Sequence, residues 1–252
     1  MKFFQLLTMP LLAALLVLSS CSGNETTTTE DTSTTTTTTD TMNTGTTATT
    51  GTATPTFDTT RMHLMLAIHR VKNFNTWKAS YDAHDSMRLA NNMRSYMIGR
   101  SIPDSDRVIV AVTADSISKA RAFSRDARLK KAMQEGGVTG TPEFRFITLR
   151  NRNTAAPDAN FRAISSFTVK DFEAWRTGFE QGRQERMDNG VVDRAYGHDP
   201  DNEKKVTVIV SITDTARANA YWNSDQLKQR RAAGGVTDQP KRIMYQVVQR
   251  YQ

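Results

Sequence analysis

The chain carries a second copy of itself. Residues 71–150 align with residues 169–248 at a constant offset of 98, without a gap, and 19 of the 80 aligned positions are identical. Val71, Lys72, Phe74 and Trp77 return as Val169, Lys170, Phe172 and Trp175. Gly136, Gly137, Val138, Thr139 and Pro142 return as Gly234, Gly235, Val236, Thr237 and Pro240. Self-similarity at such a period means one supersecondary unit written twice, so it constrains architecture before any residue has a role. It does not specify a reaction.

The element order within the unit follows from hydropathy. Residues 63–69 are rich in apolar side chains and have strand length. A helix is expected over 73–91, because Phe74, Trp77 and Tyr81 recur at spacings of three and four and share a face. Residues 93–102 and 108–112 read as two strands joined by Pro103-Asp104-Ser105-Asp106, a turn short enough for an antiparallel hairpin. A second helix spans 116–135 and stops at Gly136-Gly137, since glycine accepts the left-handed backbone of a helix end. Residues 144–149 form the last strand. The second copy repeats this order over 161–168, 171–189, 191–198, 205–212, 214–233 and 242–248, after a linker at 151–160.

Two units result, 61–151 and 160–251, each βαββαβ. A lone domain of this size is marginal. A four-stranded antiparallel sheet with both helices on one face leaves its other face apolar and bare. Two such faces in one chain can cover each other. The expected fold is α+β: two ferredoxin-like units fused into an intramolecular dimeric α+β barrel, monomeric in solution.

The first sixty residues have another character. Residues 1–20 open with Lys2 and an apolar run from Leu6 to Leu18, too short to span a bilayer and suited to a signal peptide. The run ends in Leu18-Ser19-Ser20-Cys21, which resembles the bacterial lipoprotein box. That resemblance implies a diacylglycerol on Cys21 and, with Ser22 following, an outer-membrane address in the cell envelope. Cys21 is the sole cysteine, so no disulfide forms within the chain. Residues 21–60 form a Thr-rich stalk with too little apolar surface to offset ordering. Asp40-Thr41-Met42 and Asp58-Thr59-Thr60 resemble short O-glycosylation sites of bacterial lipoproteins; a bare spacer is the other reading.

Charge divides at the same boundary. Setting aside Lys2 from the 33 basic residues and Glu25, Glu30, Asp31, Asp40 and Asp58 from the 26 acidic ones leaves a surplus of 11 positive charges on the folded part. An exported protein without a nucleic-acid motif does not call for nucleic acid. Anionic lipid headgroups, a small acidic molecule, or a basic surface kept for solubility remain open.

In order, the chain shows a first strand, Val-Lys-x-Phe-x-x-Trp, a helix ending near Arg88, and Gly99 late in the second strand. An Asp/Asn-rich turn, a Val-x-Val-x-Val strand and a helix closed by Gly-Gly-Val follow. This pattern, present twice over residues 62–250, resembles the dimeric α+β barrel superfamily near the antibiotic biosynthesis monooxygenases and cyclase-like proteins. The resemblance implies a cavity between helices and sheet in each unit. It also implies, for enzymatic members, cofactor-independent oxidation or rearrangement of aromatic polyketides, or haem degradation. The haem-degrading pattern requires a histidine on the second helix, and neither 116–135 nor 214–233 contains one.

Candidate site residues lie on the first helix. Tyr81, His84 and Arg88 share one face, where an imidazole beside a guanidinium could serve as acid/base and anion clamp, with Tyr96 nearby on the next strand. The second copy has Phe179, Gly182 and Arg186 instead, so the first copy is the expected site. The opposing reading is an amphipathic helix end whose Arg lays its stem on apolar neighbours. Trp77 and Trp175, kept in both copies, read as core anchors. His69 matches Phe167, which marks a position that tolerates an apolar ring. No metal-ligand spacing, phosphate loop or nucleophile motif is present, and no cofactor is expected. Two functions follow: a lipid-anchored module that binds or displays a small anionic or aromatic molecule, or a monooxygenase-like enzyme acting in the first unit. A cleft open near His84 separates them.

Overall fold

The computed structural model describes residues 56–251. The expected signal peptide, Cys21, the Asp40-Thr41-Met42 motif and most of the Thr-rich stalk lie outside the described residues. In chain order the elements are β1 (Phe57–Asp58), β2 (Met62–Val71), α1 (Phe74–Ala83), α2 (Asp85–Ala90), β3 (Met93–Ser101), β4 (Arg107–Ala114), α3 (Ile117–Ser124), α4 (Ala127–Glu135) and β5 (Val138–Asn153). The second copy follows with β6 (Phe161–Thr168), α5 (Phe172–Gln181), α6 (Arg183–Asp188), β7 (Val191–Asp199), β8 (Asn202–Ile212), α7 (Thr215–Asn223), α8 (Asp225–Ala233) and β9 (Lys241–Arg250).

Each copy builds a four-stranded antiparallel sheet, β5-β2-β4-β3 and β9-β6-β8-β7. Strand β3 pairs with β9, and β5 pairs with β7. The two sheets thereby close into one ring of eight strands, the intramolecular dimeric α+β barrel expected from the repeat. Both faces of every sheet are covered. Along β2, Leu64, Leu66 and Ile68 enter the barrel core, while Met65 and Ala67 join the core beneath the helices. Strand residues alternate sides, so a strand buried on both faces reads as an unbroken apolar run.

Gly99 and Gly197 are equivalent positions, and both sit where the copies join. A methyl group at Gly99 would strike the Tyr245 ring on β9, and one at Gly197 would strike the Thr148 backbone on β5. Close approach of strands at the two seams explains why this glycine is duplicated. Gly137 and Gly235 adopt φ of 81° and 71°, the left-handed stop expected after the second helix of each copy.

Three expectations need correction. The helices expected over 73–91 and 116–135, and their second-copy equivalents, are each broken in two. The first break falls at His84 and Gly182, the second at Arg125-Asp126 and Ser224. Asp126 and Ser224 cap a fresh helix, accepting the N–H groups of Arg128 and Leu227 at 2.8 and 3.2 Å. Strand β5 continues to Asn153, past the expected end at 149, because β7 supplies its backbone partners through Arg152. Finally, Phe57 and Asp58 fall inside the expected stalk yet pair with Asn153 and Arg152. Asp58 forms an ion pair with Arg152, and Arg183 lies over the Phe57 ring at 4.0 Å.

Candidate functional site

In each copy the helices lie on the outer face of their own sheet, and a cavity remains between the layers. The first-copy cavity holds about 60 Å³. Its second-copy equivalent holds about 340 Å³. A cavity of about 150 Å³ accepts a benzene ring. The second copy has room for a planar molecule, and the first does not.

Tyr81, His84 and Arg88 come together on the first cavity, as their spacing requires. Arg88 lies 3.8 Å over the Tyr81 ring, and the Tyr81 hydroxyl meets Ser95 Oγ at 2.8 Å. His84 Nδ1 lies 2.7 Å from the Ser80 carbonyl oxygen, which makes that nitrogen the donor and ties His84 to the end of α1. Tyr96 does not join them. Neighbouring strand residues face opposite sides, so Ser95 meets the helix layer while Tyr96 turns to a cavity inside the barrel and is 42% exposed.

A residue that sequence reasoning set aside does face the first cavity. His69 is buried, packs 5.5 Å from the Trp77 ring, and neither of its ring nitrogens has a hydrogen-bond partner. Burial holds its pKa down to about 4, so the imidazole is neutral near pH 7.

Four arginines line the second cavity, and two of them are neutralised. Arg186 donates to both oxygens of Asp193, at 2.7 and 2.5 Å, and lies 3.7 Å over the Phe179 ring. Arg230 pairs with Glu185, whose other oxygen accepts the Tyr221 hydroxyl at 2.8 Å. Arg242 lies 3.9 Å over the Trp222 ring and donates Nε to Ser165 Oγ at 3.1 Å. Burial, reinforced by neighbouring Arg231, pulls the Arg242 pKa down to about 10. Burial lowers that of Arg231 as well, against a smaller opposing effect of Tyr221, and no carboxylate acts on either among the described residues. Both remain charged at neutral pH. Two guanidinium groups without a carboxylate therefore face a wall that includes Phe167, Trp175, Phe179 and Trp222. Partly desolvated cations of this kind favour an anion that supplies the missing charge.

The alignment explains the difference. Ala132, Met133 and Phe144 of the first cavity are replaced by Arg230, Arg231 and Arg242 in the second. Ser80 is replaced by Gly178, which lines the second cavity, and His84 by Gly182, which abuts the lining residues Arg186 and Arg230. Lost side chains open the space, and gained arginines charge it. Sequence reasoning read the mismatches for what the first copy had gained, and missed what the second had. Among the described residues no three His, Cys, Asp or Glu converge as for a metal ion. The second cavity presents no His, Cys or Met to ligate a haem iron, and its phenol, Tyr221, is held by Glu185.

No protein-family model and no curated protein matches the sequence. Solved structures do resemble the fold. A candidate chlorite dismutase superposes with a TM-score of 0.54 at 11% identity, over 75% of this chain and 96% of the other. A candidate monooxygenase from Fusobacterium nucleatum superposes with a TM-score of 0.50 at 12% identity, over 75% and 93%. At such identities the likeness concerns the fold, a dimeric α+β barrel.

Proposed function

We propose that the protein is a lipid-anchored envelope module that binds a small anionic aromatic molecule in its second-copy cavity. One observation carries this reading: uncompensated Arg231 and Arg242 on the wall of an aromatic-lined space of about 340 Å³. A charge-assisted hydrogen bond contributes about 1.5–3 kcal/mol, and a ring stacked on an aromatic wall adds about 0.5–1.5 kcal/mol. Binding without chemistry is favoured because that wall has no free proton carrier. It carries no histidine, and Glu185 next to it is engaged by Arg230 and Tyr221. The anchor is supported by the apolar run that ends at Cys21, the spacer by the Thr-rich stalk, and the outer-membrane address by Ser22. A monomer is supported by the two seams, which occupy the sheet edges within one chain. Native mass spectrometry of the full chain released from membranes tests the reading. An acidic aromatic adduct is expected, lost in Arg242→Phe; a chain that carries none and takes up no aromatic acid contradicts it.

A second reading rests on His69. Its neutral, unpartnered imidazole shares the first cavity with His84 and is free to accept a proton, as a cofactor-independent monooxygenase-like enzyme on small aromatic or polyketide-like molecules would need. The space of about 60 Å³ must open for such a substrate. Oxygen uptake with a phenolic substrate, abolished by His69→Phe, supports this reading; no uptake counts against it.

A further inference from the structure

A third cavity, of about 240 Å³, lies inside the strand ring, between the copies rather than within one. Equivalent positions of the two copies both line it: Leu64 with Arg162, Leu66 with Ile164, and Tyr96 with Arg194. The first copy makes its part of the wall mainly apolar. The second places Arg162, Arg194 and Tyr245 there.

Tyr245 is fully buried, and its hydroxyl has the neighbouring Arg162 guanidinium beside it but forms no hydrogen bond of good geometry. A buried polar group left unmatched costs about 1–3 kcal/mol, so an unmatched hydroxyl at a cavity wall points to something that fills it. Arg162 is the cross-strand partner of Tyr245 and is 4% exposed. It donates to the Ala159 carbonyl and to Asp158, both at 3.3 Å. Asp158 is largely exposed and also serves Arg250 at 2.8 Å. Arg194 donates to the Pro157 carbonyl at 2.9 Å and to Ser211 Oγ at 3.4 Å, with no carboxylate beside it among the described residues. Arg152, on the same wall, is committed to Asp58. The polar wall thus carries a surplus of donors and positive charge. Water would satisfy the hydroxyl but leave that charge uncompensated.

We propose that the barrel interior is a second binding site, for a small anion with a short aliphatic body. The anionic head takes the Tyr245 hydroxyl, Arg162 and Arg194, and the body lies on Leu64, Leu66 and Met97. This site is independent of the second-copy cavity, because Arg231 and Arg242 do not line it.

Isothermal titration of the full chain in detergent with hexanoate, hexanamide and inorganic phosphate tests the assignment. Hexanoate is expected to bind, with hexanamide at least about tenfold weaker. Tyr245→Phe and Arg194→Gln should each weaken hexanoate about tenfold, the loss of one charge-assisted contact. Tyr245→Phe should leave the thermal transition unchanged or raised, since the hydroxyl gives up no partner, which separates lost binding from lost folding. Arg242→Phe should leave hexanoate binding intact. The proposal is overturned by no hexanoate binding, by equal binding in wild type, Tyr245→Phe and Arg194→Gln, or by phosphate binding without hexanoate binding. Loss of hexanoate binding in Arg242→Phe also overturns it, because the ligand would then sit in the other cavity.

Discussion

Arg88 and Arg186 occupy the same position in the two copies, and both are almost fully buried. Arg186 is met by two oxygens of buried Asp193. Ser95 stands where the first copy would need that acid, so Arg88 reaches out at 3.1 Å to half-exposed Asp85 and leaves its Nε without a partner. One residue, kept through the duplication, is held by a buried ion pair in one copy and by a solvent-facing one in the other. Shared residues such as Trp77 and Trp175, Gly99 and Gly197, or Ala120 and Ala218 build the frame. The mismatched residues around them decide how much space the frame leaves and what charge lines it.

The largest difference between the copies should appear on removing the acids. Asp193→Ala strands a buried guanidinium and is expected to cost about 3–5 kcal/mol in chemical denaturation. Asp85→Ala removes a half-exposed acid that meets buried Arg88 through a single contact, and should cost less, about 1–2 kcal/mol. Equal losses would break the comparison.

His69 against Phe167 comes next. The folded pKa near 4 lies below the unfolded 6.5, so below pH 6.5 the unfolded state binds the proton first. Stability is full above pH 6.5 and falls by about 3 kcal/mol as pH drops to 4. His69→Phe, which installs the second copy's residue, should remove this step from the stability–pH curve. It should also raise stability at pH 7 by about 1 kcal/mol, because two unpartnered ring nitrogens disappear. A curve that keeps its step in the variant would assign the titration elsewhere.

The seam glycines offer a smaller contrast. Gly197→Ala meets backbone and should cost about 3 kcal/mol, whereas Gly99→Ala meets a ring that can shift and should cost nearer 1 kcal/mol. The reverse order by thermal denaturation would contradict the seam geometry. Smallest of all, Gly182→Ala puts a methyl group 2.9 Å from Arg230 Nη1 and 3.0 Å from Arg186 Nη1. It should reduce uptake of an aromatic acid a few-fold without loss of stability; unchanged uptake would detach Gly182 from the cavity.

Much of the fold was legible because the repeat names its own elements. Trp77 with Trp175, and the Gly-Gly stops, fixed strand and helix order twice. The helix breaks were not, because Asp126 and Ser224 sit inside runs whose apolar spacing continues across them. The end of β5 was hidden by Arg150, Asn151, Arg152 and Asn153, polar residues whose strand conformation depends on β7. Tyr81, His84 and Arg88 were legible as one face because helix spacing is local. Arg231 and Arg242 come from α8 and β9, and each alone resembles an ordinary surface cation. Only their joint replacement of Met133 and Phe144 marks them, and no sequence pattern states the volume they enclose. Tyr96 was misplaced because β3 turns alternate residues to opposite faces.

The three tryptophans test the central claim, that the second copy and not the first holds the ligand cavity. Trp77 lines the first cavity, and Trp175 and Trp222 line the second. Fluorescence is followed during titration with 4-nitrobenzoate in the Trp77→Phe chain and in the Trp175→Phe, Trp222→Phe chain. The expected result is saturable quenching in the former, abolished by Arg231→Met with Arg242→Phe, and none in the latter. Saturable quenching confined to the chain that keeps Trp77 would contradict the account.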